Sequence, residues 1–340
     1  MDKFGGGIIL SYRENSVKVI ESLQYPTGLF SASRKDCTTG YNVAWIRDNV
    51  YTAMGMETFS IKKAVKTFQA LLDIFRRHEY KIDWAIKDKP RFAYQYIHAR
   101  YHPITFDEFY DEWGNKQNDA IGAFLFKVGE LEQRGIAVIR DEHDKLVLKK
   151  LVDYLQSIEY WHDPDHGMWE EGPELHASSI GACVAGLEKI KFIVAVPQEL
   201  IDKGREAMNQ LLPRESPTKS VDLAQLSLIF PYNVVTKEQA EQILKNVEEQ
   251  LVRNKGVIRY HGDLYYNAKG EAEWTFGFPW LASIYKKLNM PNKYAFYMRK
   301  TTEAMNAKGE LPELYYGNSN LYNDNCPLGW AHAMHLLAMH

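Results

Sequence analysis

The stretch EHDKLVLKKLVDYLQSIEYWHDPDHGMWEEGPELHASSIGACVAGLEKIKFI, residues 142–193, indicates the fold class because it contains two helical patterns joined by a long polar connection. Apolar residues in its first part recur at the spacing of one helix face. These residues are Leu146, Leu148, Leu151, Val152, Leu155 and Ile158. The pattern predicts one helix near 142–160 and a second near 174–193, with a tryptophan and several acids in the connection between them.

The same reading along the whole chain gives helices and no convincing series of alternating strands, so the protein is predicted to be all-α. Twelve helices are predicted near residues 9–23, 45–58, 61–82, 117–132, 142–160, 174–193, 197–212, 221–229, 237–253, 275–288, 292–307 and 327–339.

Long and short connections alternate between these helices. The connections are long after the first, third, fifth, ninth and eleventh helices and generally short after the second, fourth, sixth, eighth and tenth. Successive helices joined in this way run antiparallel, so six hairpins closed into a ring place every long connection at one end. We therefore predict an (α/α)6 toroid, a six-hairpin barrel, with its functional residues on the long-connection face.

Two stacked helical domains are the alternative organisation. No Pro/Gly/Ser-rich linker lies in mid-chain, and the segment LLPRESPTKSVD at 211–222 is too short and ordinary to mark a domain boundary. We expect residues 1–340 to form a single domain. A closed helical ring can stand as a monomer, although the sequence does not determine the oligomeric state.

Composition and charge exclude several classes of function. The formal net charge of -3 and the absence of a Lys/Arg-rich run argue against nucleic acid as a partner. No apolar run reaches membrane-spanning length, and the glycine-broken start is not a signal peptide, so we expect a cytoplasmic protein without a membrane partner. The three cysteines are widely separated and form no CxxC, and no cofactor or metal is expected. The aromatic content of 13% suits a core and also the apolar faces of sugars.

The first long connection ends in YNVAWIRDNVY, residues 41–51, which places Arg47 and Asp48 at a helix entrance behind Tyr41 and Trp45. A guanidinium donates and a carboxylate accepts, so this pair can hold neighbouring sugar hydroxyls while an aromatic ring supports the sugar. An ordinary local ion pair is the alternative.

The second long connection closes with DEWGNKQNDAIGAF, residues 111–124. Trp113 is a candidate for stacking on a sugar. Gln117 and Asp119 at the following helix start are candidates for polar contacts or for helix caps. In the later connection at 256–280, Arg259 and Trp280 are contact candidates, with core packing as the alternative.

Acids lie in two connections that face each other across a ring of six hairpins. In MWEEGPE, Trp169 and Glu171 are expected to keep Glu170 protonated near neutral pH, whereas a solvated loop with Glu174 at a helix start is the alternative. In LPELYY, Glu313 is expected to stay ionised in a wetter, hydrogen-bonded setting. One carboxylic acid that protonates a leaving oxygen and one carboxylate that activates water are the requirements of glycosidic bond hydrolysis.

At these residues the chain resembles glycoside hydrolase family 15, the glucoamylase family, along nearly its whole length. The matching segments, in order, are YNVAWIRDN, WGNKQND, MWEE, FGFPW and LPEL…PLGWAHA. The resemblance implies an (α/α)6 barrel and release of glucose from non-reducing ends with inversion.

The resemblance also implies roles for individual residues. Glu170 matches the general acid, Glu313 the general base and Glu171 a substrate-binding acid, while Arg47 and Asp48 match the grip on the terminal glucose. Tyr41, Trp113 and Arg259 match substrate contacts. Inversion places the two catalytic carboxyls about 6.5 to 9.5 Å apart, with a water between the base and the sugar.

Other segments resemble the glucoamylase-like domain of phosphorylase kinase regulatory subunits. These are YPTGLF, ELHASSIGACVAGLEKI and SVDLAQLSLIFPYNVV. The expected function is an inverting exo-acting hydrolase of short α-glucosides such as malto-oligosaccharides. The alternatives are a catalytically silent glucan-sensing module and an enzyme of the same fold that acts on another α-linkage, as in trehalose.

Overall fold

The computed structural model describes residues 5–111 and 113–340, with side chains from residue 12 onward. Residues 1–4 and Glu112 lie outside the described residues. The first of these belong to the segment that is predicted not to be a signal peptide. The helices are α1 Gly5–Leu23, α2 Ile46–Glu57, α3 Ile61–Arg77, α4 Glu79–Lys87, α5 Asn118–Gln133, α6 Glu142–Ile158, α7 Ala177–Ile190, α8 Gln198–Leu211, α9 Leu226–Ile229, α10 Lys237–Gln250, α11 Gly277–Lys287, α12 Pro291–Glu303 and α13 Gly329–Met339. Short 3-10 turns cover Ala93–Gln95 and Leu223–Gln225. None of the helices so described is long and apolar enough to cross a membrane.

Six of these helices close into an inner ring. Helix α2 contacts α5, α5 contacts α7, α7 contacts α9, α9 contacts α11, α11 contacts α13, and α13 returns to α2. The inner helices are buried on nearly every side, whereas outer helices such as α8 and α10 bury only one apolar stripe. This arrangement confirms the predicted all-α (α/α)6 toroid.

The predicted helix at 61–82 is broken at His78 into α3 and α4. The His78 ring bonds the carbonyl oxygen of Phe106 at 2.7 Å, and Lys81 is paired with Glu108 at 2.8 Å. Both partners belong to the second long connection. Local periodicity could not reveal this break because the contacts that redirect the chain come from residues almost thirty positions away.

Four two-residue strands tie the long connections together. Strand β1, Ala44–Trp45, pairs antiparallel with β2, Arg100–Tyr101, and joins the first connection to the second. Strand β3, Glu273–Trp274, pairs antiparallel with β4, Leu314–Tyr315, and joins two later connections. Trp45 and Glu313 therefore lie in or beside backbone that is fixed by hydrogen bonds.

Glycine allows the inner helices α5 and α7 to approach closely. A Cβ atom on Gly122 would lie 2.3 Å from the carbonyl carbon of Ala182, and one on Gly186 would lie 2.5 Å from the Gly122 oxygen. No side-chain rotation relieves a clash with backbone atoms, so any larger residue pushes the helices apart.

We expect Gly122→Ala to lower the free energy of unfolding by about 1 to 3 kcal/mol, because overpacking outweighs the better helix propensity of alanine. Gly172→Ala is the control, since a Cβ atom at Gly172 meets nothing within 4 Å. Urea unfolding followed by circular dichroism measures both variants. Equal stability of the two would contradict the packing described for α5 and α7.

Candidate active site

A cavity of about 440 Å³ opens at the long-connection end of the ring. All five long connections contribute to its wall, so the predicted functional face is the one that carries the cavity. The predicted site residues that line it are Tyr41, Trp45, Arg47, Asp48, Trp113, Trp169, Glu170, Glu171, Arg259 and Glu313. Both predicted catalytic acids therefore face one space.

Arg47 organises the inner wall of the cavity. Its guanidinium donates to Gln117 Oε1 at 2.7 Å, to Asp119 Oδ2 at 3.3 Å and to Glu170 Oε1 at 3.1 Å. Gln117 and Asp119 are buried and do not line the cavity. They act on the site through Arg47 rather than by facing the cavity.

Glu170 is set apart from Glu171 by its backbone. Its φ angle of 65° lies in the left-handed region, which turns two adjacent acid side chains toward different partners. Burial raises the pKa of Glu170 to about 7, and the charge of Asp48 acts in the same direction against that of Arg47. Arg47 holds Oε1, a hydrogen bond from the Gln117 side chain also favours the ionised form, and the Glu170 side chain is 22% exposed.

Glu171 is not among the groups that act most strongly on the pKa of Glu170, which are led by burial, Arg47 and Asp48. Arg259 donates to its Oε1 at 2.9 Å, Lys219 donates to its Oε2 at 2.7 Å, and the Tyr260 hydroxyl lies 2.7 Å from both oxygens. Burial disfavours the ionised form, but these donors outweigh it and lower the pKa of Glu171. Adjacent acids in a sequence repel strongly only when they share a partner-free space.

Glu313 is more buried than the sequence suggested, because only 1% of the residue is exposed. The Tyr41 hydroxyl donates to Oε1 at 2.6 Å, Asn325 donates to Oε2 at 2.8 Å, and Asn323 also donates to Oε2. Burial raises the pKa of Glu313 while these three donors oppose the rise. The expected wetter setting is therefore wrong, and protein donors take the place of water around the carboxylate.

The backbone around both acids is fixed by buried polar groups. Asp165 accepts the Asn118 backbone N–H at 2.9 Å. This bond ties the connection between α6 and α7, which carries Glu170 and is called the acid-bearing connection below, to the start of α5. The Leu311 N–H donates to His332 Nε2 at 2.9 Å, two residues before Glu313. His332 Nδ1 in turn meets the Ser16 hydroxyl at 2.8 Å, so the ring is neutral and fully bonded, as expected for a structural histidine.

Trp280 does not line the cavity, although the sequence placed it among the contact candidates. The residue is fully buried, and its indole N–H donates to the Phe230 carbonyl at 2.7 Å. Its ring packs 5.7 Å from that of Trp330, which does line the cavity. Helix α11 turns Trp280 toward the core, so its contribution to the wall is indirect.

Several lining residues were not predicted from the sequence. They include Met168, Leu264, Tyr265, Trp274, Phe276 and Trp330. Trp274 ends strand β3, and Phe276 is the residue immediately before α11. The Tyr265 hydroxyl lies 3.1 Å from that of Tyr41 and extends the hydrogen-bonded group around Glu313.

No group of three or more His, Cys, Asp or Glu side chains gathers to hold a metal in the part of the chain that the structure describes. Polar side chains line the cavity between aromatic walls, and the carboxyl groups of Glu170 and Glu313 have different surroundings. Together with the helical ring, they define a glucoamylase-like (α/α)6 protein.

The chain belongs to glycosyl hydrolases family 15, whose family model matches residues 10–295. Among solved structures, a wild-type glycosidase superposes with a TM-score of 0.86 at 20% identity, covering 99% of this chain and 98% of that chain. A bacterial glucoamylase complexed with acarbose gives a TM-score of 0.74 at 16% identity, covering 98% and 55%. These likenesses support the fold.

Among curated proteins, the probable phosphorylase b kinase regulatory subunit alpha of Drosophila melanogaster is 26% identical over 330 residues, covering 83% of this chain and 25% of the relative. The liver isoform of Mus musculus is 27% identical over 288 residues, covering 70% and 22%. The chain thus spans at most about a quarter of the length of these two relatives. Both predicted resemblances are confirmed.

We expect Asp48→Asn to lower the pKa of Glu170, because the substitution removes a negative charge that opposes its ionisation. Glu171→Gln is the matched control, since that charge is already held by Arg259, Lys219 and Tyr260. A titration of the glutamate carboxyl carbons by NMR, with Glu170→Gln to assign the resonance, measures both effects. A larger decrease in the Glu171→Gln variant would restore the repulsion between adjacent acids.

Proposed function

We propose that this protein is an inverting, exo-acting glycoside hydrolase that releases β-glucose from the non-reducing ends of short α-glucosides. The observation that carries the proposal is the contrast between two carboxyls in one cavity. Glu170 is half-buried and is held by the Arg47 guanidinium at one oxygen, whereas Glu313 is almost fully buried and surrounded by neutral hydrogen-bond donors. Such a contrast separates an acid from a base.

Glu170 is the proposed general acid. With a pKa of about 7, it holds its proton through the mildly acidic range and loses it as the pH rises above neutrality. Oε2 is the atom that gives the proton to the glycosidic oxygen, while Oε1 stays on Arg47. Turnover is therefore expected to decline on the alkaline side as this proton is lost.

Glu313 is the proposed general base. Amide and hydroxyl groups that donate to both oxygens stabilise the ionised form, which accepts a proton from water. Direct attack by that water needs no protein nucleophile and inverts the anomeric carbon. The two carboxyls are then expected to lie about 6.5 to 9.5 Å apart, which leaves space for the attacking molecule.

The proposed position of the terminal glucose is between Asp48 and the aromatic walls. The Asp48 carboxylate faces the cavity, and Arg47 lies beside it at the same helix start. Below them the ring is filled, because Tyr51 is fully buried and stacks on Trp330 with ring centroids 4.6 Å apart. The cavity is therefore closed at this depth, and a closed end is suited to receive the end of a glucan chain, which supports exo action.

Residues 1–340 are proposed to act as a single domain, since the inner ring closes only with helices from both ends of the chain. A catalytically silent glucan-sensing module is the second candidate function. Its support is that the curated relatives named above are regulatory subunits. A trehalase-type specificity is the third, because the cavity residues named here do not by themselves select the linkage.

We expect Glu170→Gln and Glu313→Gln to lower kcat on maltotriose by about 10² to 10⁴-fold, because each removes a proton-transfer group. The two variants should differ on α-glucosyl fluoride, whose leaving group departs without a proton. Glu170→Gln should recover most of its activity on the fluoride, while Glu313→Gln should remain impaired. Initial rates on both substrates measure the difference.

Thermal unfolding of both variants serves as the control for folding. Equal impairment of Glu170→Gln on the two substrates would remove it from the role of acid. Binding of maltotriose to the wild-type protein without any product would instead support the silent glucan-sensing module.

A further inference from the structure

Two pairs of exposed aromatic side chains lie near the second long connection. Tyr80, Trp84, Phe92 and Tyr94 are 47%, 55%, 59% and 67% exposed, and we call them the aromatic rim patch. The Tyr80 and Trp84 rings meet edge to face at 5.0 Å, and the Phe92 and Tyr94 rings stack at 5.7 Å. Grouped exposed aromatic rings are characteristic of binding surfaces.

The patch is built by the helix break at His78. Helix α4 turns Lys81, Ile82 and Ala85 toward the protein, which leaves its aromatic residues facing solvent. An amphipathic helix normally presents polar residues on that side. Trp84 is 55% exposed in this position, so much of its indole ring is open to a ligand.

A cleft of about 200 Å³ lies between Trp84 and the turn that carries Phe92 and Tyr94. This volume accommodates a single hexose ring. The other lining residues are Ala85, Lys87, Asp88, Pro90 and Gln95. The cleft thus combines a broad indole with donors and acceptors for hydroxyl groups, the combination that a sugar ring requires.

The patch lies at the same end of the ring as the cavity. Helix α3 runs from the short-connection end to the long-connection end, so α4 continues at the latter. Lys89 pairs at 3.0 Å with Glu159, at the start of the acid-bearing connection. Asn115 Nδ2 donates to the Ala93 carbonyl at 3.1 Å, two residues from Trp113 in the cavity wall.

We propose that the aromatic rim patch is a second carbohydrate-binding site, which holds an internal segment of an α-glucan whose end enters the cavity. The inference rests on the proposed function. Two linked sites on one face raise the apparent affinity for a chain long enough to reach both. The patch therefore adds retention of long glucans to the expected hydrolysis of short ones.

Affinity electrophoresis in gels that contain soluble glycogen tests this proposal. The Glu313→Gln background prevents hydrolysis of the matrix during the run. Adding Trp84→Ala and Tyr94→Ala together should raise the apparent Kd for glycogen by about tenfold, as truncation of two binding aromatics does at other interfaces. In the otherwise wild-type protein, the same pair of substitutions should leave maltotriose turnover unchanged.

Phe192→Ala is the matched control, because this ring is 51% exposed and follows α7 at the opposite end of the ring. It should leave glycogen retardation unaltered. Unchanged retardation of the Trp84→Ala, Tyr94→Ala protein would overturn the proposal. So would self-association of the wild-type protein in sedimentation that the double variant loses, because the patch would then contact a second copy. Retardation needs no turnover, so an inactive wild-type protein would refute the proposed hydrolysis and leave this test intact.

Discussion

The buried guanidinium of Arg47 is the constraint on which the site depends. A buried cation needs acceptors, and Arg47 finds them in Gln117 and Asp119 near the start of α5 and in Glu170 of the acid-bearing connection. Arg47 and these acceptors belong to three separate segments of the chain. Arg47 therefore fixes the position of Glu170 relative to the inner ring, and the rest of the ring supplies the burial that keeps water from competing for these bonds.

The ionised forms of two glutamates in one cavity are stabilised differently, because their hydrogen-bond partners differ. At Glu170, burial prevails over the attraction of Arg47 and raises its pKa to about 7. At Glu313, the Tyr41 hydroxyl and two asparagine amides oppose burial, as water would do at an open surface. Glu171 is neutralised by its own cations and takes no part in this contrast. The proposed acid and the proposed base are thus distinguished by their partners rather than by their degree of burial.

The sequence was sufficient for the helical ring and for the placement of Glu170 and Glu313 in connections that line one cavity, because helix stripes and connection lengths are local quantities. The sequence was insufficient where residues far away along the chain determine the local conformation or the surroundings of a side chain. The break at His78 depends on Phe106, the inward turn of Trp280 depends on Phe230, and the environment of Glu313 depends on Asn323 and Asn325 from ten and twelve residues further on. The aromatic rim patch follows from that same break, so no local pattern could have placed it beside the cavity.

The central claim is that Glu170 and Glu313 act from opposite sides of one anomeric carbon, with water as the nucleophile. The most direct measurement is proton NMR of maltotriose during the first turnovers, before mutarotation mixes the anomers of the released glucose. The account predicts that β-glucose appears first. Initial release of α-glucose would contradict it, because retention requires a different arrangement of the two carboxyls.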